Sequence, residues 1–249
     1  MAHNGRSNAY CFPMTDKKTP TSSRSPRQTR GHERVAAILD ACARLIVIEG
    51  AAQLTMHGLA RDAGTSIGSL YHFFPDKQSV LKALGDRHIK ALTIITQDLM
   101  AIDDSVWIEQ SAGDVIARLI LPILQYIEQH RDLVSMIYPL DGTHRLSSPD
   151  LRLRIEDTYA RMLELRLPTA TADARQVYVL ALVELPMGAF QVAQKSSALS
   201  RRLLIEELPR ALIAYLEALE RIHGVPGQAS LQPAVHGNQD QDAGHLRGQ

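Results

Sequence analysis

Residues 55–77 read TMHGLARDAGTSIGSLYHFFPDK, and their order decides how the rest of the chain is read. Thr55 can cap a helix by accepting a free amide hydrogen, and Gly64 supplies the stop. A second helix opens at Thr65 or Ser66 and ends before Pro75, which cannot continue it. Asp76 caps a third. Two short helices joined across Ala63, Gly64 and Thr65 make a helix-turn-helix pattern. A left-handed backbone at Gly64 costs glycine little, and Ala60 is small enough for the second helix to cross closely.

That second helix carries two kinds of side chain. Ile67 and Leu70, with Leu59, are placed to pack beneath the pair against Ile38, Leu45 and Phe74. Ser66, Gly68, Ser69, Tyr71 and His72 are left facing outward. Short hydroxyls and a glycine let a backbone approach the base edges and phosphates of a major groove, at a cost of roughly 1 kcal/mol for glycine in a helix. Tyr71 offers a phenolic donor to a phosphate, and Lys77 offers a charge. An ordinary helical hairpin without a ligand has the same spacing, and from Gly31 to Lys90 seven bases face six acids.

Working outward, helical spacing continues almost everywhere. Val35, Ile38, Leu39, Cys42, Leu45 and Ile46 follow i, i+3, i+4, i+7, and Gly50 stops that helix. After the long helix capped by Asp76, further helices are predicted near 111–129, 131–139, 149–166, 172–194 and 200–222. No alternating strand pattern occurs, so the expectation is an all-α fold of about nine helices. The run VYVLALVELPMGAFQVA (177–193) is interrupted by Glu184 and Pro186, which fits a buried helix better than a membrane span. Its nearly all-round apolar surface needs cover on several sides.

Among 249 residues there are 27 Lys plus Arg and 27 Asp plus Glu, but the charge is uneven. Up to Arg30 six bases face one acid, and from Gly31 to Gly224 twenty bases face twenty-four acids. Residues 1–30 read as a flexible basic arm and residues 225–249 as a second disordered tail. The arm either binds an anionic polymer or is merely solvated. Cys11 and Cys42 imply no disulfide framework, and the N-terminus shows no apolar stretch or cleavage pattern. A soluble cytoplasmic protein with no membrane partner is therefore expected. HExxH, paired cysteines at zinc spacing, a GxGxxG after a strand and a phosphate-loop lysine are all lacking, so no catalytic residues, metal or cofactor are assigned.

Residues 34–81 resemble the DNA-binding region of the tetracycline-repressor (TetR) family of transcriptional regulators. The matching residues are ILDACARL, Glu49-Gly50, Thr55 with Leu59-Ala60, AGTSIGSLY, FFPDK and Leu81. The resemblance implies a homodimer whose helix-turn-helix units bind a palindromic operator, over residues 31–77. It also implies an effector-binding and dimerisation region, over 78–224, usually dimerising through the last two helices, here 172–194 and 200–222. Carried over by position, Thr55, Ser66, Ser69, Tyr71 and Lys77 are the DNA contacts, with Gly68 at the position of close approach. Thr65 stands where valine is common and adds a hydroxyl, while His72 is at a variable position. Phe73 stands where histidine or tyrosine is common and is assigned to packing.

The implied effector pocket has candidate linings in Trp107, Tyr126, Met136, Tyr138, Tyr159, Met162, Tyr178, Phe190 and Gln191, each of which also suits a core. Glu184 has three readings: a helix edge in solvent, a pair with an arginine across the dimer, or a contact to a polar ligand. The expected function is a regulator, specifically a repressor released from its operator by a small effector. A non-sequence-specific nucleic-acid binder using the arm and an all-helical enzyme are the alternatives.

Overall fold

The computed structural model describes residues 26–137, 146–193 and 201–224. Among them are ten α-helices and no strand: α1 (Pro26–Glu49), α2 (Met56–Asp62), α3 (Ile67–Phe73), α4 (Lys77–Met100), α5 (Asp104–Glu109), α6 (Ala112–Gln129), α7 (Arg131–Ile137), α8 (Pro149–Arg166), α9 (Ala172–Ala193) and α10 (Leu208–His223). The all-α expectation holds.

Local chemistry sets most of the boundaries. Thr55, Ser66, Asp76, Asp103, Ser111 and Ser148 each accept an amide hydrogen at a helix start. Asp76 goes further, because Ser79 bonds back to its backbone amide and completes a capping box. Gly50 ends α1 with φ at 84°.

Two boundaries differ from the expectation. Helix α1 starts at Pro26, so residues 26–30 are helical and do not belong to a flexible arm. Proline is well placed at a helix start, where its missing N–H would be unpaired anyway. The first turns hold no apolar residue from which a period could be read. At the other end, the single helix expected over 200–222 is divided into a π turn at Leu203–Glu207 followed by α10. There the Leu208 amide donates to the Leu203 carbonyl, five residues back. Pro209 explains the wider turn: it has no N–H to donate, and its ring would press on the carbonyl four residues earlier. The remainder of the arm, residues 1–25, and the tail, 225–249, lie outside the described residues.

The core forms two clusters. Ile38, Cys42, Ile46, Leu59, Leu70, Phe74, Val80 and Leu84 gather α1 to α4. Leu99, Trp107, Leu119, Met162, Leu163, Leu182, Leu212 and Leu216 join α4 to α10. Helix α4, 24 residues and so about 36 Å long, feeds both, with Val80 and Leu84 at one end and Leu99 at the other. Arg166 ties the second cluster together from α8, donating to Glu220 on α10 and to the carbonyls of Trp107 and Gln110.

Candidate nucleic-acid interface

The unit that presents α3 is fixed by local bonds to backbone amides and by apolar side chains beneath it. Thr55 Oγ1 accepts from the Gly58 amide at 3.0 Å. At the far end of α2 the Thr65 amide donates to the Ala60 carbonyl and the Gly64 amide to the Arg61 carbonyl. These two bonds, with Gly64 at φ 63°, form a Schellman motif. Ser66 then opens α3, its hydroxyl accepting from the Ser69 amide at 3.1 Å. Leu70 is fully buried beneath α3, Phe74 nearly so, and Ile67 packs at the edge of the same cluster.

That anchoring leaves one face of α3 open. Ser66, Gly68, Tyr71 and His72 are exposed, and Ser69 and Thr65 are half-buried at its margin. Tyr71 is 48% exposed, high for a residue of its size. A Cβ added at Gly68 would meet nothing within 4 Å, so this glycine is not required by packing. Thr55 is exposed at the head of α2. Phe73 is half-buried against the core, as assigned.

Lys77 is placed differently from the others. Its ammonium donates to the Ala52 carbonyl at 3.1 Å and lies 3.5 Å from that of Ala51, bracing the start of α4 against the end of α1. Beside α3 runs a cleft of about 530 Å³, lined by Arg30, Glu33 and Arg34 of α1 together with Gly64, Ser66 and Ser69. The two arginines are not among the sequence-derived contacts. Their i, i+4 spacing is legible, but Arg30 falls within the stretch that reads as an arm.

Residues 38–84, which contain this whole unit, match the model of the bacterial regulatory proteins of the tetR family. Across 73 residues the chain is 40% identical to the HTH-type transcriptional regulator EthR of Mycolicibacterium smegmatis. That match takes in 29% of this chain and spans a third of the relative's length, 33%. The helix-turn-helix unit is thus of the tetR-family type. The fold agrees over much more of the molecule. SmeT, the repressor of the Stenotrophomonas maltophilia multidrug efflux pump SmeDEF, superposes with a TM-score of 0.52 at 18% identity, covering 78% of this chain and 92% of that one. A TetR-family regulator from Haemophilus influenzae gives 0.51 at 16% identity, covering 79% and 99%.

The candidate linings of an effector pocket scatter through the fold. Trp107, Tyr159, Met162 and Phe190 are buried, the first three within the second core cluster. Burial alone pushes the Tyr159 phenol above its ordinary range. The Tyr178 hydroxyl lies 3.0 Å from Nε2 of His223, Met136 belongs to the first cluster, and Gln191 is exposed. Tyr138 lies outside the described residues. Glu184 fits the first of its three readings, a helix edge in solvent: it is 52% exposed and accepts from Arg152 of the same chain at 2.7 Å. One turn of α8 faces it across the helix pair, so no ligand or partner arginine is needed to satisfy it.

Of these residues Tyr126 alone lines the larger cleft, about 690 Å³, where α1, α4, α6 and α7 meet. His88 lies fully buried at this junction. Its Nδ1 is 2.8 Å from the Tyr126 hydroxyl and its Nε2 2.7 Å from Asp132. Burial pushes the His130 imidazole below its ordinary value, and the charge of His88 adds to that shift. Among the described residues no helix is long and apolar enough to cross a membrane, and no three His, Cys, Asp or Glu side chains cluster as a metal site would.

Proposed function

We propose that the protein is a sequence-specific DNA-binding transcriptional repressor, released from a palindromic operator by a small molecule. The observation that carries this reading is the capped helix α3, buried through Leu70 and open through Ser66, Gly68, Tyr71 and His72, within a region matching the tetR-family model. Thr55, Thr65, Ser66, Gly68, Ser69, Tyr71, His72 and Lys77 supply the contacts. Short side chains set the approach to the groove, and Tyr71 and Lys77 hold phosphates.

Helices α1 to α3 form the DNA-binding unit, and the helices from α4 onward form the effector-binding and dimerisation unit. Dimerisation through α9 and α10 accounts for Val177, Leu180, Leu185 and Val192 on α9 and Ile222 on α10, all large apolar side chains left exposed. A two-fold dimer presents two α3 helices to successive major grooves roughly 34–36 Å apart. An effector that displaces α4, which enters both core clusters, changes that spacing.

The test is a titration of the purified chain against the intergenic DNA upstream of its own gene, with unrelated duplex as competitor and Tyr71→Ala alongside. Selective binding that Tyr71→Ala weakens at least tenfold is expected. Equal affinity for both duplexes would return the reading to a non-specific binder.

A further inference from the structure

Between Thr55 and Lys77 the formal charge is zero, Arg61 and Lys77 being matched by Asp62 and Asp76. Lys77 is moreover already engaged with two carbonyls. Proteins that hold duplex DNA draw much of their affinity from neutralised phosphates, so a reading helix this poor in cations needs charge from a neighbour. Helix α1 has it. Arg30 and Arg34 are one turn apart, on the same side of α1, both exposed and both lining the cleft beside Ser66 and Ser69.

The bonding of the pair leaves it available. Arg34 Nη1 donates to Ser69 Oγ at 3.4 Å, longer than an ordinary N–H···O bond. The Arg30 guanidinium makes no hydrogen bond or ion pair with the described residues. Glu33 is the single acid of that cleft. In sequence, Lys17, Lys18, Arg24 and Arg27 precede the pair, with Asp16 the only acid before Glu33.

We propose that Arg30 and Arg34 clamp the DNA backbone at the flank of the groove entered by α3, Arg34 exchanging Ser69 for a phosphate oxygen. A charge-assisted guanidinium–phosphate bond is about twice as strong as a neutral one, so a 3.4 Å bond to a hydroxyl is given up readily. The exchange frees the Ser69 hydroxyl to turn toward DNA, which couples phosphate capture to the reading surface. The clamp rests on the DNA-binding reading above.

The experiment measures affinity of the full-length chain against salt concentration, for operator and for unrelated duplex, in the unaltered chain, Arg30→Ala, Arg34→Ala and Arg34→Lys. Each alanine is expected to lower the slope of log K on log salt by about 0.9 for each phosphate that is no longer neutralised. It should weaken both duplexes by similar factors, since phosphates carry no sequence information, and Arg34→Lys should keep the slope. Unchanged slopes in both alanine variants, or weakening confined to the operator, would overturn the clamp while leaving the regulator reading intact if the unaltered chain still prefers the operator to unrelated duplex. No selective binding by the unaltered chain would overturn both.

Discussion

Nε2 of His88 lies 2.7 Å from Oδ2 of Asp132, with the first side chain fully buried and the second 4% exposed. A carboxylate only accepts, so Nε2 donates to Asp132, and Nδ1 shares a second hydrogen bond with the Tyr126 hydroxyl. The preceding residue of α4, Arg87, reaches the other way to Asp40 on α1 at 2.6 Å. Two consecutive side chains of α4 thus hold α1 on one side and α6 and α7 on the other. The Arg87 pair is open to water and worth little in stability, at most about 1 kcal/mol. The His88 pair is dry, and breaking it is costly.

Replacing His88 by Ala leaves the Asp132 carboxylate buried without its partner. The expected destabilisation is about 3–5 kcal/mol, read from denaturant midpoints, and the double variant His88→Leu, Asp132→Leu should recover most of it. Burial pushes the Asp132 carboxyl upward, but the His88 hydrogen bond and charge outweigh that and hold it below its ordinary value. Its contribution is therefore complete above the unfolded value near ~3.9 and is lost as pH falls through the lower folded one. Asp132→Asn should remove that part of the acid sensitivity. An acid profile unchanged by it would show that the pair does not control stability in that window.

Gly68 sets stability against function. It is exposed within α3, and an added Cβ would meet nothing within 4 Å. Gly68→Ala should therefore stabilise the fold by up to about 1 kcal/mol, the usual helix penalty of glycine. The same methyl stands on the face proposed to meet DNA, so operator affinity should fall at least tenfold. Thermal melting and a binding titration on one preparation decide the matter. A variant that is more stable and binds equally well would remove Gly68 from the contact surface.

The helix-turn-helix was legible because its signals are local. A cap at Thr55, a left-handed glycine at Gly64 and a cap at Ser66 each act within a few residues, and each stands where the sequence places it. The start of α1 was not, since its first turns have no apolar residues and helical spacing cannot be read from charged ones. The π turn before Pro209 also escaped, because a proline near a helix start reads as favourable whether or not the preceding turn widens. Glu184 looks anomalous along the sequence only because its partner Arg152 sits on another helix. The junction built on His88 is hidden for the same reason: its members come from α4, α6 and α7, with no spacing to connect them.

Cys42 should be inert while the chain is folded. It has no exposed surface, and burial, with a contribution from the Asp132 charge against that of Arg87, pushes its thiol up to about 12. In a Cys11→Ser chain, a thiol reagent should react only as the protein unfolds. The sign of the pH effect follows. The unfolded thiol ionises near ~8.5, so the Cys42 contribution to stability is complete below that value and is lost as pH rises toward the folded one. Cys42→Ala should melt with a flatter alkaline profile. Rapid labelling of the native Cys11→Ser chain would contradict the burial on which this rests.

Lys77 has two duties to separate. Its ammonium braces α4 against the Ala51 and Ala52 carbonyls, yet an ammonium has three donors, and the proposed role at a phosphate needs only one. Lys77→Met keeps much of the stem and removes both. If it braces the helices, stability should fall by about 1 kcal/mol, a shift of roughly 2–4 °C in Tm for a domain of this size. If it also holds a phosphate, the slope of log K on log salt should fall by about 0.9 for that one phosphate. Both changes are expected together, because the brace fixes the ammonium at the end of α4 next to α3. A lowered Tm with an unaltered slope would leave Lys77 as a positioning residue and take it out of the DNA contact set.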